Sequence, residues 1–181
     1  LLLIVTWIAG KYYIMNFRVK CYLKKKNQVS YKDTELKEYV FDFIKREFGP
    51  GYKPSDIFVF KNSPYYISII ETDTGRGAFE ILFDPDTREF QPEPGPNMMW
   101  NEKYGMMGRN MMGLNQIHKN DDTINQISKD DALDYASEYL DRNEENIKVS
   151  EEGHEFYGYY TFHTKKDKKP YGMLSVNGNT G

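Results

Sequence analysis

The chain has 181 residues, of which 28% are charged and 39% hydrophobic. That is a globular composition for one medium domain or two small ones, not a disordered or collagenous chain. One cysteine excludes a disulfide framework and a cysteine-based zinc site, and three histidines without an H-E-x-x-H argue against a histidine metalloenzyme. The net charge of −3 hides an asymmetry. Residues 1–30 carry Lys11, Arg18, Lys20, Lys24, Lys25 and Lys26 and no acid, which leaves the remainder at −9. An acidic body gives no electrostatic reason to bind nucleic acid.

Residues 1–30 form an apolar and basic N-terminal segment. The run LLLIVTWIAG is too short for a complete membrane span of about twenty residues. It fits the end of a span, a signal-peptide core, or a buried strand or helix; a membrane or export segment is the favoured reading. Phe17, Val19, Cys21 and Leu23 alternate with Arg18, Lys20 and Tyr22, the period of a half-buried strand. Cys21 is then a small core residue. Its surroundings in sequence offer nothing to activate a thiol. The basic flank prefers the cytoplasmic side of a retained span.

Residues 31–92 read as a first unit. Leu36, Val40, Phe43 and Ile44 share one face of a helix over 34–48, with Asp33 or Thr34 as cap and Gly49-Pro50-Gly51 as stop. Strand-like runs follow at Ile57–Lys61, Tyr65–Thr72 and Ala78–Asp84. Asn62-Ser63-Pro64 and the Asp73–Gly77 stretch separate them with turn chemistry. Gly75-Arg76-Gly77 lacks the rest of a nucleotide-binding fingerprint and reads as a hairpin turn.

Residues 93–127 are a linker of unusual composition. Met98, Met99, Met106, Met107, Met111 and Met112 form three doublets among Gly105, Gly108, Gly113, Pro94 and Pro96. Those breakers argue against a regular helix, so a helical core stripe explains the methionines poorly. Thioether sulfur is a soft ligand that selects Cu(I), and equally Ag(I), over hard cations. It needs no deprotonation, so such a site persists at acidic pH. His118 is placed to add an imidazole, and Trp100 and Tyr104 to cover the ion. The competing reading is packing: flexible methionines fill irregular gaps or present an adaptable surface.

Residues 128–181 read as a second unit. Ser128-Lys-Asp-Asp131 is a capping box with Asp in place of Glu. Ala132, Leu133, Ala136, Tyr139 and Leu140 form the apolar helix face. Strand-like runs follow at Ile147–Ser150, Phe156–His163 and Tyr171–Asn177. The chain begins at Leu1 rather than Met and stops on a turn, Asn177–Gly181, so it is expected to be a piece of a longer chain with at least one further strand.

The third strand of each unit ends alike. Phe79–Arg88 lies over Gly172–Gly181, so that Ile81, Phe83, Asp84, Asp86 and Thr87 meet Leu174, Val176, Asn177, Asn179 and Thr180. The expected fold is therefore α+β, two tandem helix-plus-three-stranded antiparallel meander units packed together. The helix, the hairpin and the closing strand with its D/N-x-x-T-G ending resemble the PepSY domain, with Arg88 in place of the usual Gly in the first copy. The resemblance covers about 33–92 and 128–181. It implies an extracytoplasmic or membrane-attached protein without catalytic residues. The implied partner is a protein, with a peptidase the first candidate, because the family occurs in propeptides of secreted metallopeptidases. The Met-rich linker is no part of that pattern.

Other constellations carry less. Asp84 and Asp86, with Asn177 and Asn179, offer calcium-type oxygens but no hand-type Glu, and Asx turns are the simpler reading. His154 and His163, taken on one strand at odd spacing, fall on opposite faces. Glu151-Glu152 and Lys165–Lys169 read as solvated hairpin ends. Tyr65-Tyr66 and the Phe156–Tyr160 aromatics occupy both faces of the middle strands; the second face is either a peptide- or partner-binding surface or the contact between units, the latter being the favoured reading. No G-x-S-x-G and no acid–base or nucleophile set appears, and the expectation is a non-enzymatic binding protein.

Overall fold

Sixteen residues from Asp33 to Phe48 form the longest helix. The computed structural model describes residues 2–5, 14–17, 33–59, 63–105, 125–144 and 146–181. The fold is mixed α+β, and the chain divides into two compact units, residues 21–93 and residues 1–20 with 94–181.

In the unit of residues 21–93, α1 (Asp33–Phe48) is followed by β3 (Tyr52–Phe58), β4 (Tyr65–Glu71), β5 (Gly77–Asp84) and β6 (Glu89–Pro92). Each strand pairs antiparallel with the next. Leu36, Val40 and Ile44 are buried at helical spacing, as their periodicity predicts. Gly49, at φ +87, ends α1, and its amide donates to the Lys45 carbonyl at 3.1 Å. A left-handed residue at this point is the usual role of glycine. Aromatic side chains join the helix to the sheet: Phe43 stacks on Phe90 at 3.7 Å and Phe48 lies 4.7 Å from Phe79. Phe90 belongs to a fourth strand that the sequence pattern does not reveal, because β6 has only four residues. The first strand starts at Tyr52 rather than Ile57, and it ends at Phe58. Pro54, which argues locally against a strand, is admitted because β3 pairs only with β4 among the described residues.

In the other unit, β1 (Leu2–Val5) pairs antiparallel with β2 (Ile14–Phe17), and Asn16 pairs with Leu174. Part of the apolar N-terminal run is thus a strand; Val19, Cys21 and Leu23 lie outside the described residues. After a short helix α2 (Pro96–Trp100) come α3 (Lys129–Asn143), β7 (Ile147–Phe156), β8 (Tyr159–Lys166) and β9 (Lys169–Asn177), the strands forming an antiparallel meander. The Ser128 hydroxyl accepts from the Asp131 amide at 3.1 Å and donates to its carboxylate at 2.7 Å, so the N-cap half of the box forms as read while the carboxylate meets the hydroxyl rather than the Ser128 amide. Ala132, Ala136 and Leu140 pack with Ile147, Tyr160, Phe162, Leu174 and Val176 in one core.

Phe156–His163 is not one strand. Tyr157-Gly158 turns the chain, with Gly158 at φ +96, and His154 and His163 sit on the neighbouring strands β7 and β8. His154 is opposite Thr161 in register, which puts both histidines on the same face rather than opposite ones. Glu151 and Glu152 likewise lie inside β7, at an irregularity between Val149 and Gly153, and not at a hairpin end. The other expected end holds: Asp167 and Lys168, at φ +51 and +65, turn β8 into β9.

Replacing Phe162, which is fully buried, by Ala should lower the unfolding free energy by about 3–5 kcal/mol. A urea titration of the intact chain reads this; a loss under about 1 kcal/mol would remove Phe162 from the core.

Candidate functional site

A hollow lies between α1 and β3. It is lined by Lys37, Glu38, Phe41, Asp42, Pro54, Ser55 and Ile57 and has a volume of about 560 Å³. That is within the range of sites that admit a side chain or small ligand. The helix supplies two columns at i, i+4 spacing, Lys37 above Phe41 and Glu38 above Asp42. The strand supplies the opposite wall where its register with β4 shifts, between Pro54 and Ile57. A bulge bends its strand, and this one sits beside α1. Phe41 is 45% exposed. It stands about 100° round the helix from Val40 and so leaves the buried stripe. The sequence reading passed over this wall. Two signals point to it: an aromatic off the apolar stripe, and a proline inside a strand run.

Of the proposed soft-metal ligands, Met98 and Met99 lie on α2, Met98 partly buried and Met99 41% exposed. The short helix there departs from the expectation of irregular backbone, since Pro96 occupies its first turn, where the missing amide costs nothing. Successive helical residues point about 100° apart, so the two side chains of this doublet leave the helix in different directions. Met106, Met107, Met111, Met112 and His118 lie outside the described residues. Among the described residues there is no group of three or more His, Cys, Asp or Glu that could hold a metal ion.

The two flanks of the Met-rich segment meet at one place, the Tyr157-Gly158 turn. From the N-terminal flank, the Glu102 amide donates to the Tyr157 carbonyl at 2.9 Å, and the Lys103 ammonium donates to the Tyr157 hydroxyl at 3.1 Å. The same ammonium lies 4.4 Å from the Tyr157 ring centre, a cation–π distance. From the C-terminal flank, Asn125 accepts from the Gly158 amide at 2.8 Å and donates to the Phe156 carbonyl at 3.0 Å. The Gly178 amide donates to the Gly158 carbonyl at 2.7 Å, and Ile127 donates to the Gly178 carbonyl at 3.0 Å. Glu102 also accepts from the Asn179 side chain at 2.6 Å. A Cβ at Gly158 would overlap the Trp100 carbonyl oxygen, so only glycine admits this approach. Nothing in the sequence marks Asn125 as the centre of such a network.

The remaining polar groups are engaged locally. Glu152 accepts from Lys165 at 3.0 Å, with His163 3.5 Å away. Lys165, and to a smaller degree His163, hold the Glu152 carboxyl below the usual carboxylate range. The Asp84 carboxylate accepts from the amides of Asp86 and Thr87 at 2.8 and 3.2 Å. The Asn177 carboxamide accepts from those of Asn179 and Thr180 at 2.9 and 3.0 Å. Both are Asx turns, as read from sequence. Each is closed by a backbone hydrogen bond, from Arg88 to Asp84 at 2.8 Å and from Gly181 to Asn177 at 3.1 Å. Arg88 has φ +62 and Gly181 φ +78, so both occupy the left-handed region. No helix among the described residues is long and apolar enough to cross a membrane.

No protein-family description, no curated protein and no solved structure matches the chain.

Asn125→Ala leaves buried amide and carbonyl groups of the hairpin turn without their side-chain partner and should cost about 1–3 kcal/mol. Hydrogen exchange at the Gly158 amide should accelerate in step. Unchanged exchange there would show that the asparagine does not hold the turn.

Proposed function

We propose that this chain is a non-enzymatic, extracytoplasmic binding protein of PepSY type. It acts on a protein partner, and a peptidase is the first candidate. The observation that carries the binding reading is the open hollow between α1 and β3, with Phe41 presented to solvent at 45% exposure. A large aromatic left outside the core is tolerated singly, but one set into a hollow of this size is suited to contact another molecule. The PepSY reading is supported by the paired Asx turns, which match in donors, closing bond and left-handed last residue. It treats the two helix-and-meander segments as tandem copies.

The peptidase reading is tested by adding the intact chain to a purified secreted zinc metallopeptidase and following a fluorogenic substrate. Saturable inhibition, with the chain left uncut, is the expected result. Full turnover accompanied by digestion of the folded chain would sink it.

A second reading has its own support. Lys103 and Asn125, on the two flanks of the Met-rich segment, are fastened at one turn. Fastened flanks lower the entropy of gathering ligands from the chain between them, which supports a Cu(I) or Ag(I) site built from Met98, Met99, Met106, Met107, Met111, Met112 and His118. In a Cu(I) titration against a chromophoric chelator, the chain should bind saturably. A variant with all six methionines changed to leucine should fold equally well, because the swap roughly conserves volume, and should bind no copper. Equal uptake by both proteins would return the methionines to packing.

A further inference from the structure

We infer that the hollow between α1 and β3 takes an extended peptide segment in which apolar and basic residues alternate. The inference rests on the binding reading above and names what is bound. Three observations carry it. First, part of the hollow's lining is apolar: Phe41, Pro54 and Ile57 contribute to it, and its volume of about 560 Å³ suits one or two aliphatic side chains rather than a folded surface. Second, the acids outnumber the bases among its lining residues. Glu38 and Asp42 lie one helical turn apart, and like charges at that spacing disfavour the helix. No cation is paired with either carboxylate among the described residues. An arriving guanidinium or ammonium offsets that repulsion. Lys37 stands in the adjoining column above Phe41, where it can donate to a main-chain carbonyl of the peptide.

Third, the outer side of β3 pairs with no other strand among the described residues. Its form nevertheless limits simple strand addition. Pro54 has no amide to donate, and the irregularity between Pro54 and Ile57 interrupts the ladder. Recognition therefore falls on side chains. An extended segment presents alternate residues to opposite sides. Apolar positions then face Phe41 and Ile57 while basic positions turn toward Glu38 and Asp42. An acidic segment meets two carboxylates instead of one ammonium, so charge selects between otherwise equal peptides.

The test uses the full chain and two fluorescein-labelled nonapeptides, one alternating leucine with arginine and the other leucine with glutamate, read by anisotropy. The arginine peptide should bind, and more weakly as salt rises. Phe41→Ala should weaken it about thirtyfold, the loss expected when one aromatic contact is removed. Combined Glu38→Gln and Asp42→Asn should weaken it about fivefold and flatten the salt dependence. Asp134→Asn with Tyr135→Ala, equivalent changes on the exposed side of α3, should leave binding unchanged. Equal binding of the two peptides would overturn the charge selection. Arginine-peptide binding that survives both sets of α1 changes would overturn the site while leaving the protein-binding reading in place. Absence of peptide binding would overturn the inference alone, because the peptidase assay judges the parent reading with a folded partner.

Discussion

The carboxamide of Asn125 and the Gly158 turn form the contact on which the loops of the C-terminal unit depend. One side chain both accepts from the turn's amide and donates to the carbonyl of Phe156. Around it, the Trp100–Gly105 stretch, Ile127 and Gly178 complete a set of backbone bonds that leaves no room for a Cβ at Gly158 or Gly178. Buried polar groups of this kind are costly to leave unmade. The network therefore specifies where the linker departs and returns, while the apolar core beneath α3 supplies the bulk of the stabilisation.

The two units solve the same problem with different materials. An antiparallel sheet with an apolar face needs a cover, and in each unit a helix provides it. Beneath α3 the cover is close: alanines at 132 and 136 bring the helix backbone near the aromatic strands. Over β5 and β6 the cover is made through rings, with Phe43, Phe48 and Tyr39 meeting Phe90, Phe79 and Phe83. Large side chains at the interface hold a helix further out than alanines do. The hollow beside β3 is consistent with that spacing.

The two long helices were legible from sequence because their signals are local and repeated, whereas five-residue α2 was not. The stripe of Leu36, Val40 and Ile44, the Ser128 box and the glycine stop each act within a turn or two. Strand ends were harder. The Tyr157-Gly158 turn hides between two aromatic pairs, where no polar residue marks it, and its one clue is a glycine in a run of tyrosines. Missing that turn merged two strands and assigned the histidines to opposite faces. The Asx turns were legible because a single side chain satisfies amides two and three residues on. The hollow and the Asn125 network were not, because both join residues far apart in sequence whose partners are fixed by packing alone. Asn125 and Gly158 are an example: neither residue carries a pattern that names the other.

The fastening of the linker has an energetic consequence. Residues 101–105 and 125–127 hold the ends of the Met-rich segment, and they do so with groups outside it. The entropy of closing a chain between fixed ends grows only with the logarithm of its length, about 0.6 kcal/mol per doubling. Between ends fixed in this way, a change of length alone carries only that small entropic cost. A substitution at Asn125 is therefore costlier, at about 1–3 kcal/mol, than a doubling of the interval whose ends it fastens.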